Sequence, residues 1–260
     1  MAIDDAHLSA PDIDLVLNAS GTPMQAIPDG GALIAAELGM SGSFGYSVHA
    51  TCISFLVAFQ QAAFHISMGS AKHVLIVSTE AGSRGLNFNQ PESALLIGDA
   101  AVAVVVGPPD TPRQGITEAH FSTDTDGVHD AEIRGFGSRV PVADAAEHIE
   151  DFKFDMQGLK LLRGALRWFP AFLESLREGL SENPSGIEHV IPHQTSQAGM
   201  ELMSRFWGWD KMMVTLPTVG NTIAASIPLA LHRSSILPGE TALLIGTGSG
   251  THYGGLVVRW

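Results

Sequence analysis

Cysteine is almost absent from this chain: of 260 residues only Cys52 carries a thiol. A single cysteine excludes an intramolecular disulfide framework and fits a reducing compartment, so the cytoplasm is the expected location. Positive charge is also scarce, with 14 Lys and Arg against 27 Asp and Glu and a formal net charge of −13. Nucleic-acid binding needs a concentrated basic face, so no nucleic-acid partner is expected. No apolar run approaches the ~20 residues of a membrane span, and "AAVAVVVG" (100–107) reads as a buried strand instead. The first residues, "MAIDDAHLSAPDIDL", lack the basic and apolar regions of a secretory leader. The one gathering of cations is Lys160, Arg163 and Arg167, spaced i, i+3, i+7 in "QGLKLLRGALRWF". That spacing is the ordinary pattern of a solvated helix face.

What the sequence does have is hydrophobicity, at 45% of residues, enough for a large core in one big domain or two fused halves. Short β-branched runs alternate with longer helical patterns, which argues an α/β fold. Strands are expected at 13–19, 73–79, 100–106, 115–122, 188–193, 212–217, 241–247 and 254–260, with a β-like run at 44–49. Helices are expected at 30–38, 53–68, 157–180 with a break near Pro170, 196–207 and 222–233. Laid side by side, the chain repeats itself. "IDLVL" then "GGALIAAELGM" corresponds to "IEHVI" then "AGMELMSRFWGW", and "VHATCISFLVAF" to "TVGNTIAASIPLAL". "HVLIVST" and "AAVAVVVG" correspond to "TALLIGT" and "GGLVVRW". The ordered series predicts a duplicated α/β unit with halves at 1–107 and 108–260. The region 123–156 reads as an irregular crossover between them.

The polar residues of interest sit at the joints of this pattern. Cys52 opens an apolar helix, where the helix N-terminus favours a thiolate and lowers the thiol pKa. The duplication places Asn221 at the equivalent point of the second half, so two helix starts are expected to share one cavity. His193 ends a strand and precedes a helix, on the edge where α/β proteins place ligands. In "IGTGSGTHYGG", Gly246, Gly248 and Gly250 alternate with small residues after a buried strand, which lets backbone N–H groups approach a substrate. Each feature alone has an ordinary structural explanation.

Together these segments resemble the condensing enzymes of the thiolase fold, and within them the ketoacyl-acyl-carrier-protein synthase III family. The resemblance runs from about residue 11 to Trp260. "ATCISF" looks like the nucleophile segment, "IGDAAVAVVVG" like the Gly-Asp-Gly-Ala-Gly-Ala strand entry, and "VIPHQTS" like the His-Gln segment. "VGNTIAASIPLAL" matches the Gly-Asn-Thr-x-Ala-Ala-Ser-x-Pro helix, and "GTGSGTHYGGLVVRW" the final Gly-rich loop and strand. The resemblance implies a layered α/β/α/β/α thiolase-like fold. It implies Cys52 as the acyl-accepting nucleophile, with the backbone N–H groups of Cys52 and Ser249 as the oxyanion hole between Gly248 and Gly250. His193 and Asn221 would stabilise the enolate of a malonyl-type extender. Acyl-CoA or acyl-carrier-protein thioesters would be the substrates, with no metal or organic cofactor. It also implies a homodimer in which Ile27 reaches the neighbour's acyl pocket.

The sequence departs from the family at its front, which in relatives carries a further sixty to ninety residues including a first strand expected at the centre of the sheet. A central strand missing here would leave two buried sheet edges unpaired; the explanations, in order, are a miscalled start, a separate polypeptide that supplies the segment, and a degraded relic. "TSQAGMELMSR" offers only Arg205 where relatives that use a carrier protein are basic, with Ala198 at the main basic position. Ile53 stands where small residues are common. Two other readings stay open: an acyltransferase to an alcohol or amine without decarboxylation, and a non-catalytic or half-assembled subunit. A papain-like hydrolase is disfavoured because the Cys-Gly-x-Cys-Trp surround is absent.

Overall fold

The apolar alternation of the strands assigns each sheet two buried faces, and that requirement builds the layers. The computed structural model describes residues 1–260. Its strands are β1 (Leu15–Asn18), β2 (Phe44–Ser47), β3 (Val74–Glu80), β4 (Ala100–Val106), β5 (Gly115–Thr123), β6 (Ala131–Glu132), β7 (Asp155–Met156), β8 (His189–Pro192), β9 (Thr241–Gly248) and β10 (His252–Arg259). Its helices are α1 (Ala2–Asp5), α2 (Gly30–Glu37), α3 (Ser54–Ser67), α4 (Pro91–Ala94), α5 (Gly158–Leu176), α6 (Gln197–Trp207), α7 (Leu216–Val219) and α8 (Ser226–Arg233).

One four-stranded sheet has the order β2-β1-β3-β4 and the other β5-β10-β9-β8. Both repeat one motif. A parallel pair, β1 with β3 or β8 with β9, is followed by an antiparallel partner, β4 or β10. Because strand side chains alternate between faces, Leu15 and Leu17 of β1 join a core with α3, α8 and the second sheet, whereas Val16 joins a core with Ala35 of α2. On the second sheet, Leu244 faces α3 and α8 while Leu243 and Ile245 face α5 and α6. The five layers are therefore α2, first sheet, α3 with α8, second sheet, and α5 with α6.

Four sequence expectations are corrected. The 212–217 run is not a strand. Met212 makes one isolated bridge to Val190, and the chain then turns into α7. Pro217 has no N–H for a ladder, and the N–H groups of Thr215 and Leu216 both donate to the Gln194 side chain at 2.9 Å. Helix α5 is not broken at Pro170, which lies inside the continuous span Gly158–Leu176. A strongly amphipathic helix with Phe169, Phe172, Leu173 and Leu176 buried holds its course past one lost N–H donor.

The third correction concerns the sheet centre. The first sheet is hydrogen-bonded from β2 to β4 without a gap. In the second sheet the extra strand, β5, pairs antiparallel on the outer side of β10. The position equivalent to β5 in the first half is thus an edge beside β4, not the centre, and one strand edge is open rather than two. The fourth correction bears on the site: Cys52 and Asn221 are not equivalent. A one-turn 3₁₀ segment precedes each central helix, Thr51–Ile53 before α3 and Ile223–Ala225 before α8. Thr51 (φ 50°) and Ile223 (φ 51°) share the left-handed backbone that starts each turn. Buried Ser54 and Ser226 follow each turn. Cys52 therefore corresponds to Ala224, and Asn221 to His49, three residues upstream of the nucleophile position.

Candidate active site

The two 3₁₀ turns pack against each other between the sheets, and a cavity of about 170 Å³ opens beside them. Its lining includes Cys52, His193, Asn221, Gly248 and Ser249. No Asp, Glu, Lys or Arg lines it, and much of its wall is apolar, from Leu161 and Phe169 on α5 to Met203 on α6. Of the other residues singled out from sequence, Gly250 is in the turn after β9 with φ 81°, outside the lining. Ile27 lies away from the cavity on a surface loop, 86% exposed, with Met24, three residues earlier, equally exposed.

Cys52 is half-buried. The backbone N–H groups of Ser249 and Cys52 face its sulfur and favour the thiolate, as a helix start should. Burial outweighs them: loss of water, with Glu80 nearby as a smaller cause, pushes the thiol up to about 12. The expected lowering of the pKa is thus overturned, and the resting residue is a neutral thiol. Gly248 lets the last turn of β9 lie against the nucleophile. A Cβ there would stand 2.5 Å from Thr51 Oγ1 and 3.1 Å from the Ala50 carbonyl oxygen. Gly246 plays the same part against His193, whose Cβ would be 2.7 Å from an added methyl.

His193 continues from β8, its N–H donating to the Ile245 carbonyl at 2.8 Å. It is 1% exposed, and burial holds its pKa down at about 4 because an imidazolium would be poorly solvated there. A neutral imidazole at physiological pH carries one N–H. Its Nδ1 is buried with no protein partner, and Nε2 likewise has none, so the ring is left to whatever enters the cavity.

Asn221 is fixed by both halves. Its N–H donates to the Leu96 carbonyl at 2.6 Å and its carbonyl accepts from the Gly98 N–H at 2.9 Å. Its Oδ1 accepts from the Ile223 N–H at 2.9 Å. A backbone N–H can only be met by the carboxamide oxygen, so Nδ2 is the group left to donate into the cavity. Sequence reasoning missed this clamp. Gly98 can approach so closely only without a side chain, since its Cβ would collide with the Val219 carbonyl.

Gln194 was also passed over, as the second letter of a motif. It is fully buried, its Nε2 donates to the Met213 carbonyl at 2.7 Å, and its N–H donates to Ser226 Oγ at 2.9 Å. It ties the His193 strand end to α8 and to the segment leading to Asn221. Its neighbours His193, Thr195, Ser196 and Gln197 are polar as well, so nothing in the local sequence marks this amide as the buried one.

A neutral thiol, a neutral imidazole and a carboxamide donor around one uncharged cavity suit chemistry on a thioester. Comparison with known proteins identifies the family. Residues 46–125 match the family described as 3-oxoacyl-[acyl-carrier-protein (ACP)] synthase III, and residues 179–260 match its C-terminal part. A beta-ketoacyl-[acyl-carrier-protein] synthase III of Dinoroseobacter shibae is 32% identical over 100% of this chain and 81% of its own length. One from Clostridioides difficile is 28% identical over 100% of this chain and 80% of its own. The crystal structure of the 3-oxoacyl-[acyl-carrier-protein] synthase III of Aquifex aeolicus superposes with a TM-score of 0.86 at 26% identity, covering 100% of this chain and 81% of that one. The chain belongs to the 3-oxoacyl-acyl-carrier-protein synthase III family of thiolase-fold condensing enzymes.

Proposed function

We propose that this protein joins an acyl group to a malonyl-type thioester by decarboxylative condensation on Cys52. The observation that carries the reading is the shared cavity: one thiol, one imidazole and one carboxamide donor, with no charged side chain in the lining. In the first step the Cys52 sulfur attacks the thioester carbonyl. The carbonyl oxygen becomes an oxyanion held by the N–H groups of Cys52 and Ser249. The C–S bond to the donor breaks, and the thiol proton of Cys52 ends on the departing thiol. His193 is the base at hand for that transfer.

In the second step the malonyl carboxylate leaves as carbon dioxide, and its bonding pair becomes the enolate of the thioester. His193 and Asn221 Nδ2 donate to the enolate oxygen. The enolate carbon then attacks the acyl-Cys52 carbonyl, the C–S bond breaks, and Cys52 recovers a proton from water. A dry site strengthens both donors, each worth ~3–4 kcal/mol at a developing oxyanion. The apolar wall formed by α5 and α6 suits an aliphatic acyl or pantetheine chain.

Either acyl-CoA or an acyl-carrier-protein thioester would serve as donor. Lys160, Arg163 and Arg167 are exposed on α5, whose opposite face lines the cavity, so an acidic carrier would find its basic contacts there. We further propose a homodimer in which exposed Ile27 enters the neighbour's acyl pocket, and an added antiparallel strand, from this or another polypeptide, on the open edge of β4. No helix is long and apolar enough to cross a membrane, and the lone unpaired thiol suits the cytoplasm.

Intact-mass measurement after incubation with acyl-CoA tests the first step, wild type beside Cys52→Ala. The expected result is an acyl mass gain in wild type only. Gain in both, or in neither with folding verified, refutes the nucleophile. Release of labelled carbon dioxide from malonyl thioester separates condensation from simple acyl transfer.

A further inference from the structure

Glu80 is a buried acid that the chemistry above does not use. It ends β3, is 4% exposed, and forms no ion pair. Four donors converge on it instead. Oε1 accepts from the Gly21 N–H at 2.6 Å and the Ala224 N–H at 3.3 Å, and Oε2 from the Thr22 N–H at 3.0 Å and Thr22 Oγ1 at 2.6 Å. Burial raises the pKa of this carboxyl, and the four hydrogen bonds, all from donors, oppose that rise and match the ionised carboxylate.

The internal duplication gives this cluster a meaning. Val77 of β3 pairs with Asn18, and Ile245 of β9 pairs with Pro192. Three residues further on stand Glu80 and Gly248, which are therefore equivalent. Gly248 backs onto the Thr51–Ile53 turn, with the Cys52 nitrogen 3.5 Å from the position of its absent Cβ. Glu80 backs onto the equivalent Ile223–Ala225 turn and accepts from Ala224, the counterpart of Cys52. The fold thus contains two N–H sites for an oxyanion. Glycine at position 248 leaves the first open to a substrate oxygen. The second is filled by the protein's own carboxylate.

We propose that Glu80 is the positioning residue of the Asn221 turn, an internal anion that occupies the second N–H site and so holds Ile223 on Asn221 Oδ1 and aims Nδ2 into the cavity. The catalytic consequence rests on the reading of Asn221 as a donor to the enolate. Removing the charge should act on the two chemical steps in opposite senses. Asn221 serves decarboxylation, so that step suffers. Glu80 opposes ionisation of Cys52, so acyl transfer to the thiol stays unchanged or becomes faster. A side chain that merely holds the fold together would lower both.

The test compares Glu80→Gln and Thr22→Val with wild type. It reads Cys52 acylation by intact mass, carbon dioxide release from malonyl-CoA, and amide exchange of residues 221–226 by mass spectrometry. In Glu80→Gln, carbon dioxide release should fall about tenfold or more, with acylation at or above the wild-type rate and exchange at 221–226 raised. Thr22→Val, which removes one donor, should show the same pattern at about threefold, and it decides the matter if Glu80→Gln does not fold. Carbon dioxide release within twofold of wild type, or equal losses in both steps, overturns the proposal. If wild-type protein neither acylates nor decarboxylates, the proposed function fails by itself. Exchange then decides the plug: raised at 221–226 in the variant supports it, and unchanged overturns it.

Discussion

The two halves share one plan and differ where it matters. In the second half, β10 is paired on both edges, and α5 and α6 cover its sheet with a cluster of 15 buried residues. In the first half, β4, the counterpart of β10, is paired on one edge only, and the corresponding outer cluster has 5 buried residues. The functional turns differ in a complementary way. The thinner half would supply the proposed nucleophile, Cys52, beside Gly248, which has no side chain to fill the space. The thicker half would supply the proposed donors, His193 after β8 and Asn221 before a turn whose Ala224 N–H donates to Glu80. Neither half holds the counterparts of the other's groups: Ala19 stands where His193 would, exposed His49 where Asn221 would, and Ala224 where Cys52 would. One asymmetric cavity thus sits in a frame of two similar sheets.

The sharpest way to break this comparison is to remove the group found in one half alone. Cys52→Ala should abolish the acyl-enzyme and lower condensation by at least about a thousandfold, read by mass and product formation. Next is the residue that keeps the first N–H site open. Gly248→Val should drive a side chain into Thr51 and Ala50 and cut acylation about a hundredfold, measured by single-turnover acyl transfer.

His193→Ala and Asn221→Ala should each lower carbon dioxide release about a hundredfold while acylation falls less, which separates the donors from the nucleophile. The pH behaviour sharpens the same contrast. His193 titrates near 4 in the folded protein and near ~6.5 unfolded. The unfolded state therefore binds the extra proton between these values. The contribution to stability is complete above about pH 6.5 and is lost as pH falls toward 4. Chemical denaturation from pH 7 to 4 should show this loss, and His193→Asn should flatten it.

The smallest effect concerns the outer layers. Leu173→Ala, in the thick cluster, should cost about 3–5 kcal/mol by urea denaturation, because rigid neighbours leave a cavity. Ile13→Ala, in the thin cluster, should cost nearer 2 kcal/mol, because fewer neighbours are lost. Equal costs would show that the two outer faces are equally packed.

Much of this frame was legible in the residues. β-branched runs marked eight of the ten strands, and the ordered internal repeat announced two equivalent sheets. The two missed strands, β6 and β7, are two residues each and leave no periodicity to read. Conversely, 212–217 carried strand composition, but the N–H groups of Thr215 and Leu216 were claimed by Gln194, 21 and 22 residues away. The repeat also misaligned Cys52 with Asn221, since matching strings of small residues does not reveal which residue takes φ near +50°. Glu80 left a signal that went unread: an acid closing the apolar strand "HVLIVSTE".

Local pattern alone determined the alternating elements, the lone thiol at a helix start, and the duplication, because each follows from side-chain volume, polarity and short-range spacing. Only the tertiary structure decided the pKa of that thiol, the direction of the Asn221 carboxamide, and the use of Glu80 to fill the second N–H site. These depend on how much water is excluded and on which donors arrive from distant segments, and neither quantity is carried by neighbouring residues in the chain.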